Sequence, residues 1–365
     1  MSRSRDIASI LGATEAENTT NISLGAGGGG GSVKLYPLVD SAEGLALVDS
    51  SALSSGNLAY AEKSNTLAVW NDSDGGWYKI TTGGNSIGGP VAASGGDTVV
   101  ESNGYKIHTF TQTGTFVVTA GGDIEYVVIG GGGGGGGKGG GGGGAGGYRS
   151  NVVGEKSGAN SAVESTRTMV EGSFSVIVGA GGAGGTSGNP GVTGQNTVFD
   201  TITSLGGGGG ADQGGGNTGL SGGSGGGGGK DGGTGGAGTA GQGRAGGTSQ
   251  GGSGFAAGGG GGADSVGEVG LTSEVAGDGG IGIQSAISGT LVYRAGGGGG
   301  GTNSTDAAKR GLGGSGGGGN GGLNNSAPVA GTVNTGGGGG GGSWSTNDTG
   351  AAGGSGIVII RYPTS

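Results

Sequence analysis

The run Ile124-Glu125-Tyr126-Val127-Val128-Ile129 passes without a break into glycines 130–137, and after Lys138 the glycines resume through 139–144. A short β-branched and aromatic run bounded by glycine suits a buried strand. The tract that follows has no side chains to pack, and ordering a glycine costs more backbone entropy than ordering any other residue. Glycine without a strict period is a common mark of disorder. A linker, however, has no reason to be anchored on strands, and here the anchoring recurs. Phe174-Ser175-Val176-Ile177-Val178 runs into glycine at 179, Leu205 runs into 206–210, and the chain closes on Gly356-Ile357-Val358-Ile359-Ile360-Arg361-Tyr362. Chains that lack Cβ can extend with three residues per turn and lie close enough for each N–H and C=O to bond a neighbour. The fold expected is all-β. A small antiparallel β module precedes a β-sandwich-like glycine-rich domain with packed polyglycine segments and very little helix.

Composition agrees. Of 365 residues 115 are glycine, so no stretch within 121–147 or 206–262 can be helical. Collagen is excluded because the glycines come in runs and there are only 5 prolines. With no cysteine there is neither a disulfide framework nor a thiolate metal site. A formal charge of −9 and the absence of a basic patch argue against a nucleic-acid partner. No apolar run approaches the ~18 residues of a membrane span, so no membrane insertion is expected. Asp6, Ser9 and Glu15 interrupt any apolar core after Met1, which argues against a secretory signal. A product made in the cytoplasm, or one that leaves the cell within a larger particle, follows.

Three regions stand apart. Residues 1–32 form an attachment or assembly arm, in which Arg3 and Arg5 precede Ile7, Ile10 and Leu11 at helical spacing. Residues 33–90 form the small β module. Its runs at 33–36, 58–61, 67–70 and 77–80 are separated by Asn, Asp and Gly clusters, with Trp70 and Trp77 assigned to its core. Residues 91–365 form the glycine-rich body. Its strands are expected at 105–110, 114–119, 124–129, 174–178, 198–202, 291–293 and 357–362. Glycine runs beginning at 206, 258, 296 and 336 are irregularly spaced, as layered segments joined by variable loops would be.

No catalytic constellation emerges, and no enzyme activity, metal or cofactor is expected. GxGxxG matches carry no information in such a sequence, and neither Gly137-Lys138-Gly139 nor Gly229-Lys230-Asp231 completes a phosphate loop. Asn71-Asp72-Ser73-Asp74-Gly75-Gly76 lacks the glutamate of a calcium loop and suits a hairpin turn. His108, the single histidine, is expected as a half-buried or surface residue of a strand. Asp123 and Glu125 share a strand face, but one strand does not make a glycosidase cleft. Chemistry is expected instead on loops that interrupt the glycine, since loops on a stiff scaffold are where recognition concentrates. The candidate receptor-binding residues are Tyr148, Arg149, Asp212, Lys230, Asp231, Arg244, Asn324, Trp344 and Asn347, with Trp344 suited to stacking on a sugar ring.

Three stretches carry a resemblance. Ser2-Arg3-Ser4-Arg5-Asp6-Ile7-Ala8-Ser9-Ile10-Leu11-Gly12 resembles the opening of virion fibre proteins of marine cyanobacterial and related phages. The module Ser55-Gly56-Asn57-Leu58-Ala59-Tyr60, Leu67-Ala68-Val69-Trp70-Asn71 and Gly75-Gly76-Trp77-Tyr78 is similar to a small repeat of such proteins. Val127-Val128-Ile129-Gly130 with its glycines, and the closing Gly354-Ser355-Gly356-Ile357-Val358-Ile359-Ile360-Arg361-Tyr362, resemble the glycine-rich domain of phage tail proteins. The resemblance implies a structural virion protein, a tail fibre or fibre-tip adhesin. Its arm would bind other virion proteins, and its loops a host outer-membrane protein or polysaccharide. Trimeric assembly is the usual state of such fibres. A non-adhesive fibre or decoration protein on the phage head or tail is the alternative. An ice-binding or surface-coating protein is a further one; it would favour a Thr or Ala ladder every third residue, which the linear sequence does not display.

Overall fold

The computed structural model describes residues 91–364 apart from 214–216 and 252–255; before residue 91 it describes only the backbone of five short strands. The assembly residues Arg3, Arg5, Ile7, Ile10 and Leu11 therefore lie outside the described residues. Strands β1 (Asn21–Ser23) and β2 (Ser32–Lys34) pair antiparallel. Strands β3 (Leu58–Ala61), β4 (Thr66–Asn71) and β5 (Gly76–Lys79) form an antiparallel meander where turn signals separate the runs, with Trp70 opposite Trp77 in register.

The body begins with β6 (Ala92–Ser94), β7 (Thr98–Ser102), β8 (Tyr105–Phe110), β9 (Gly114–Ala120) and β10 (Gly122–Ile129). Then follow β11 (Tyr148–Ser150), β12 (Arg167–Met169), β13 (Gly172–Ile177), β14 (Thr197–Phe199), β15 (Ile202–Ser204), β16 (Ile283–Ser285), β17 (Val292–Arg294) and β18 (Ile357–Pro363). One sheet has the order β11-β10-β18-β8-β7, with β12 also paired to β10, and the other β15-β14-β13-β9-β6. Every pairing is antiparallel.

Strand β10 explains why its sequence reads as an unbroken apolar run: it is buried on both faces. Ile124, Tyr126 and Val128 join Phe110, Phe116 and Phe199 between the sheets, while Val127 and Ile129 join Ile107, Ile359, Tyr148 and Ile287 on the outer side of the first sheet. The rings of Phe116 and Phe199 meet edge to face at 6.0 Å, and each such side chain taken fully from water contributes roughly 1.5–3 kcal/mol. His108 belongs to this interior. The expectation of a half-buried or surface histidine is corrected, because the ring is fully enclosed, with Nδ1 2.7 Å from the Gly95 carbonyl and Nε2 2.9 Å from the Tyr362 hydroxyl. A polar group enters a core only when partners await it.

Two further readings change. The run 198–202 is not one strand: Asp200 takes a positive φ of 50°, a conformation short polar side chains tolerate, and turns β14 back onto β15. Tyr148, Arg149 and Ser150 are not a loop but β11, added to the edge of β10, because Tyr148 is wholly buried there.

Beyond Ile129 the main chain itself becomes the packing material. Each N–H from 130 to 137 donates to a carbonyl of another segment. The partners rotate with a period of three: 130, 133 and 136 donate to 147, 144 and 141; 131, 134 and 137 to 195, 192 and 189; 132 and 135 to 354 and 351. The carbonyls of 131–136 in turn accept from segments 207–210, 182–185 and 339–342. This is the bonding of a three-residue-per-turn helix enclosed by its own kind. Segment 139–147 is enclosed in the same manner by its neighbours, which include 205–211, 224–227, 258–261, 298–301 and 336–342. Glycine is obligatory at such close approach: a Cβ on Gly133 would fall on the Gly208 carbonyl, well inside the 3.0 Å that real Cβ atoms keep.

Candidate functional site

The bundle has two ends. Segment 130–137 leaves the sandwich and 139–147 returns to it, and the other segments alternate likewise. Turns at the far end comprise 138–139, 186–189, 212–213, 230–232, 271–275, 302–310, 323–326 and 343–349. We call this end the tip. The body's first described residue, Val91, precedes β6, whose Ala92 lies opposite Ala120, and Thr364 N donates to Gly104 O at 3.0 Å. Both chain crossings therefore lie at the sandwich end remote from the bundle. With tracts of about eight residues rising ~3.1 Å each, the tip stands roughly 25 Å beyond the sandwich.

Of the sequence-derived candidates, Asp212, Lys230, Asp231, Asn324, Trp344 and Asn347 come together at the tip. Lys230 is buried, its Nζ 3.6 Å from the centroid of the Trp344 ring and 2.9 Å from Asp231 Oδ2. Lys138 Nζ stands 4.4 Å from the same centroid. Gly139 is where Lys230 passes: its φ is +62°, and a Cβ there would lie 2.8 Å from Lys230 Cδ. Trp344 therefore braces three turns, 138–139, 230–232 and its own 343–349, through its ammonium contacts, a role that the expectation of sugar stacking did not include. Nearby, Asn347 Nδ2 donates to the carbonyls of Leu323 and Asn324 at 3.2 Å, and Ser345 and Thr346 both donate to Asn324.

Tyr148, Arg149 and Arg244 lie at the opposite end of the bundle. Gln242 O accepts from Tyr148 N at 2.9 Å, and Arg244 Nε donates to Asp264 O at 3.2 Å. Arg149 grips Glu164 with a two-pronged contact of 2.6 and 2.8 Å, and the Tyr126 hydroxyl donates to the same carboxylate at 2.6 Å. Burial, reinforced by that carboxylate, pushes the Tyr126 phenol above its ordinary range, and Glu164 raises the Arg149 guanidinium. These groups line a flank cleft of about 720 Å³ with Arg167, Ile202 and Gln242. Arg149 and Glu164 are engaged with each other, and Arg167 pairs with Asp200. Among the described residues no cluster of three or more His, Cys, Asp or Glu side chains is placed to hold a metal ion, and no helix is long and apolar enough to cross a membrane.

Linear reading missed one surface. Adjacent segments bonded through Gly246 N to Gly236 O and Gly267 N to Ala245 O bring Thr234 and Ala237, Ala245 and Thr248, and Val266 and Val269 onto one flank, with Glu268 exposed between the two valines. Each pair is spaced by three residues. The ladder is spread over three segments, so no single stretch displays it.

A family model described as a glycine-rich domain matches residues 109–363, from the end of β8 to the end of β18. No curated protein matches the sequence.

Proposed function

The chain belongs to the glycine-rich domain family, matched over residues 109–363, and on that premise we propose that it is a structural virion protein of a phage, a tail-fibre or fibre-tip adhesin that presents its tip loops to the host cell surface. One observation carries the reading: the chain enters and leaves the body at the sandwich end, and the loops stand at the other end of a stiff bundle. An anchor at one end and a presenting surface at the other is the arrangement an adhesin needs. Residues 1–32 supply attachment to other virion proteins, and the assembled fibre is a trimer in the virion. No catalytic role is assigned. The test is adsorption of labelled full-length protein to a panel of bacterial strains, with competition against phage infection. Binding to particular strains together with blocked infection supports the adhesin. Absence of both leaves a non-adhesive fibre or decoration protein.

A second reading draws on the flank of Thr, Ala and Val pairs. A rigid, regular array of Thr234, Ala237, Thr248, Val266 and Val269 has the flat character an ice-binding face requires. Thermal hysteresis of the purified protein decides it; freezing at the melting point, without faceted crystals, removes it.

A further inference from the structure

The tip carries little positive field. Its basic residues are Lys138, Lys230, Lys309 and Arg310, set against Asp212, Asp231, Glu274, Asp306 and Asp348. Lys230 is held by Asp231 at 2.9 Å and Lys309 by Glu274 at 3.0 Å. Lys138 and Lys230 both lie against Trp344, and Arg310 Nη2 donates to Ser326 Oγ at 2.7 Å. Asp306 is occupied as well, accepting from Ala308 N at 2.9 Å. A surface whose lysines are already engaged gains little there from a phosphate or a carboxylate, since their present partners would have to be stripped first.

What the tip does offer is amide and hydroxyl groups. Ser345 Oγ lies 3.5 Å from Asn303 Oδ1 and bonds Asn324, and Thr346 Oγ1 bonds Asn324, so turns 302–310, 323–326 and 343–349 meet in one patch. Asn347, tied to the Leu323 and Asn324 carbonyls, fixes the geometry from beneath. Asn325, beside them, is exposed. A primary amide donates two hydrogens and accepts on its oxygen, so several held side by side match vicinal hydroxyls, which also donate and accept. Because the patch is preordered by its own bonds, little side-chain entropy is lost on binding.

We propose that the patch of Asn303, Asn324, Asn325, Ser345 and Thr346 beside Trp344 recognises a neutral, hydroxyl-rich glycan. The proposal rests on the adhesin reading and narrows it to one chemical class of receptor. The test uses the full chain on immobilised neutral polysaccharides (mannan, dextran, galactan) and acidic ones (alginate, polygalacturonate), each at low and high NaCl. The result expected is retention on at least one neutral polysaccharide, with affinity changing less than about twofold as salt screens charge. The paired substitution Asn303→Ala and Asn325→Ala then weakens retention at least about tenfold, with the thermal melt unchanged. Retention only on acidic polysaccharides, retention lost in salt, or retention on none overturns the proposal. Adsorption to cells separates the two readings. Cells that bind the protein until treated with protease refute the glycan and leave the adhesin intact, whereas strains that never bind it refute the adhesin itself.

Discussion

His108 sets a pH limit on the fold. A carbonyl cannot donate, so the 2.7 Å contact with Gly95 requires a hydrogen on Nδ1, while Nε2 lies 2.9 Å from the Tyr362 hydroxyl, which itself reaches the Ala93 carbonyl at 3.4 Å. Burial holds the ring's pKa below the ordinary value of 6.5, with Lys106 adding to the effect and the Gly95 carbonyl opposing it. The unfolded chain therefore binds the proton more readily than the folded one. Stability is complete above about pH 6.5 and is lost as pH falls below that value toward the folded pKa. Thermal melts at pH 7.5 and pH 5 should show the acid loss in the native protein and a smaller loss in His108→Gln. Equal loss in both would show that other groups carry it. The sequence marked this residue as a strand histidine. It could not show the enclosure, which depends on β6 and β18 reaching it from Gly95 and Tyr362, residues 13 and 254 positions away.

At the scale of elements, the strand runs were legible and the short pieces between them were not. Strand β10 and strand β18 announce themselves through composition because both of their faces are buried. Strand β7 has an unremarkable sequence with nearly every residue exposed, and it exists because β8 offers it an edge. The turn at Asp200 was hidden because a positive φ leaves no periodic trace. The glycine segments follow a different rule. Their identity as packed three-residue helices was readable from the anchoring strands, but their neighbours were not, since glycine carries no pattern to say which carbonyl it will meet. The period of three leaves no room for a Cβ at positions such as Gly133. Gly133→Ala, which drives a methyl onto the Gly208 carbonyl, should destabilise the body by roughly 1–3 kcal/mol or more in denaturant unfolding. Ser315→Ala on the exposed side should stay within about 0.5 kcal/mol. Equal effects at the two positions would contradict a close-packed interior.

For the whole molecule, the arrangement that matters is the opposition of ends. Of the nine receptor candidates drawn from loops, six assemble at the tip, while Tyr148, Arg149 and Arg244 are carried to the other end by β11 and by the turn that Gln242 ties to Tyr148 and Leu205. Linear order could not sort them, because whether a turn lies near or far depends on how many segments have been laid down before it. The tip braces should be testable as a unit. Trp344→Ala removes the ring that gathers Lys138 and Lys230, and should loosen turns 138–139, 230–232 and 343–349 while leaving the sandwich melt unaltered. Faster proteolysis confined to the tip is the expected readout; unfolding of the sandwich would mean the two ends are not independent.

The central claim is that bare main chain forms a solid here, and amide hydrogen exchange across residues 130–137 and 139–147 tests it most directly. Each of those N–H groups is bonded to another segment. The account predicts protection there as strong as in β10, exchanging only when the body unfolds as a whole. Exchange completed at the rate of a free glycine peptide, with β10 still protected, would contradict it.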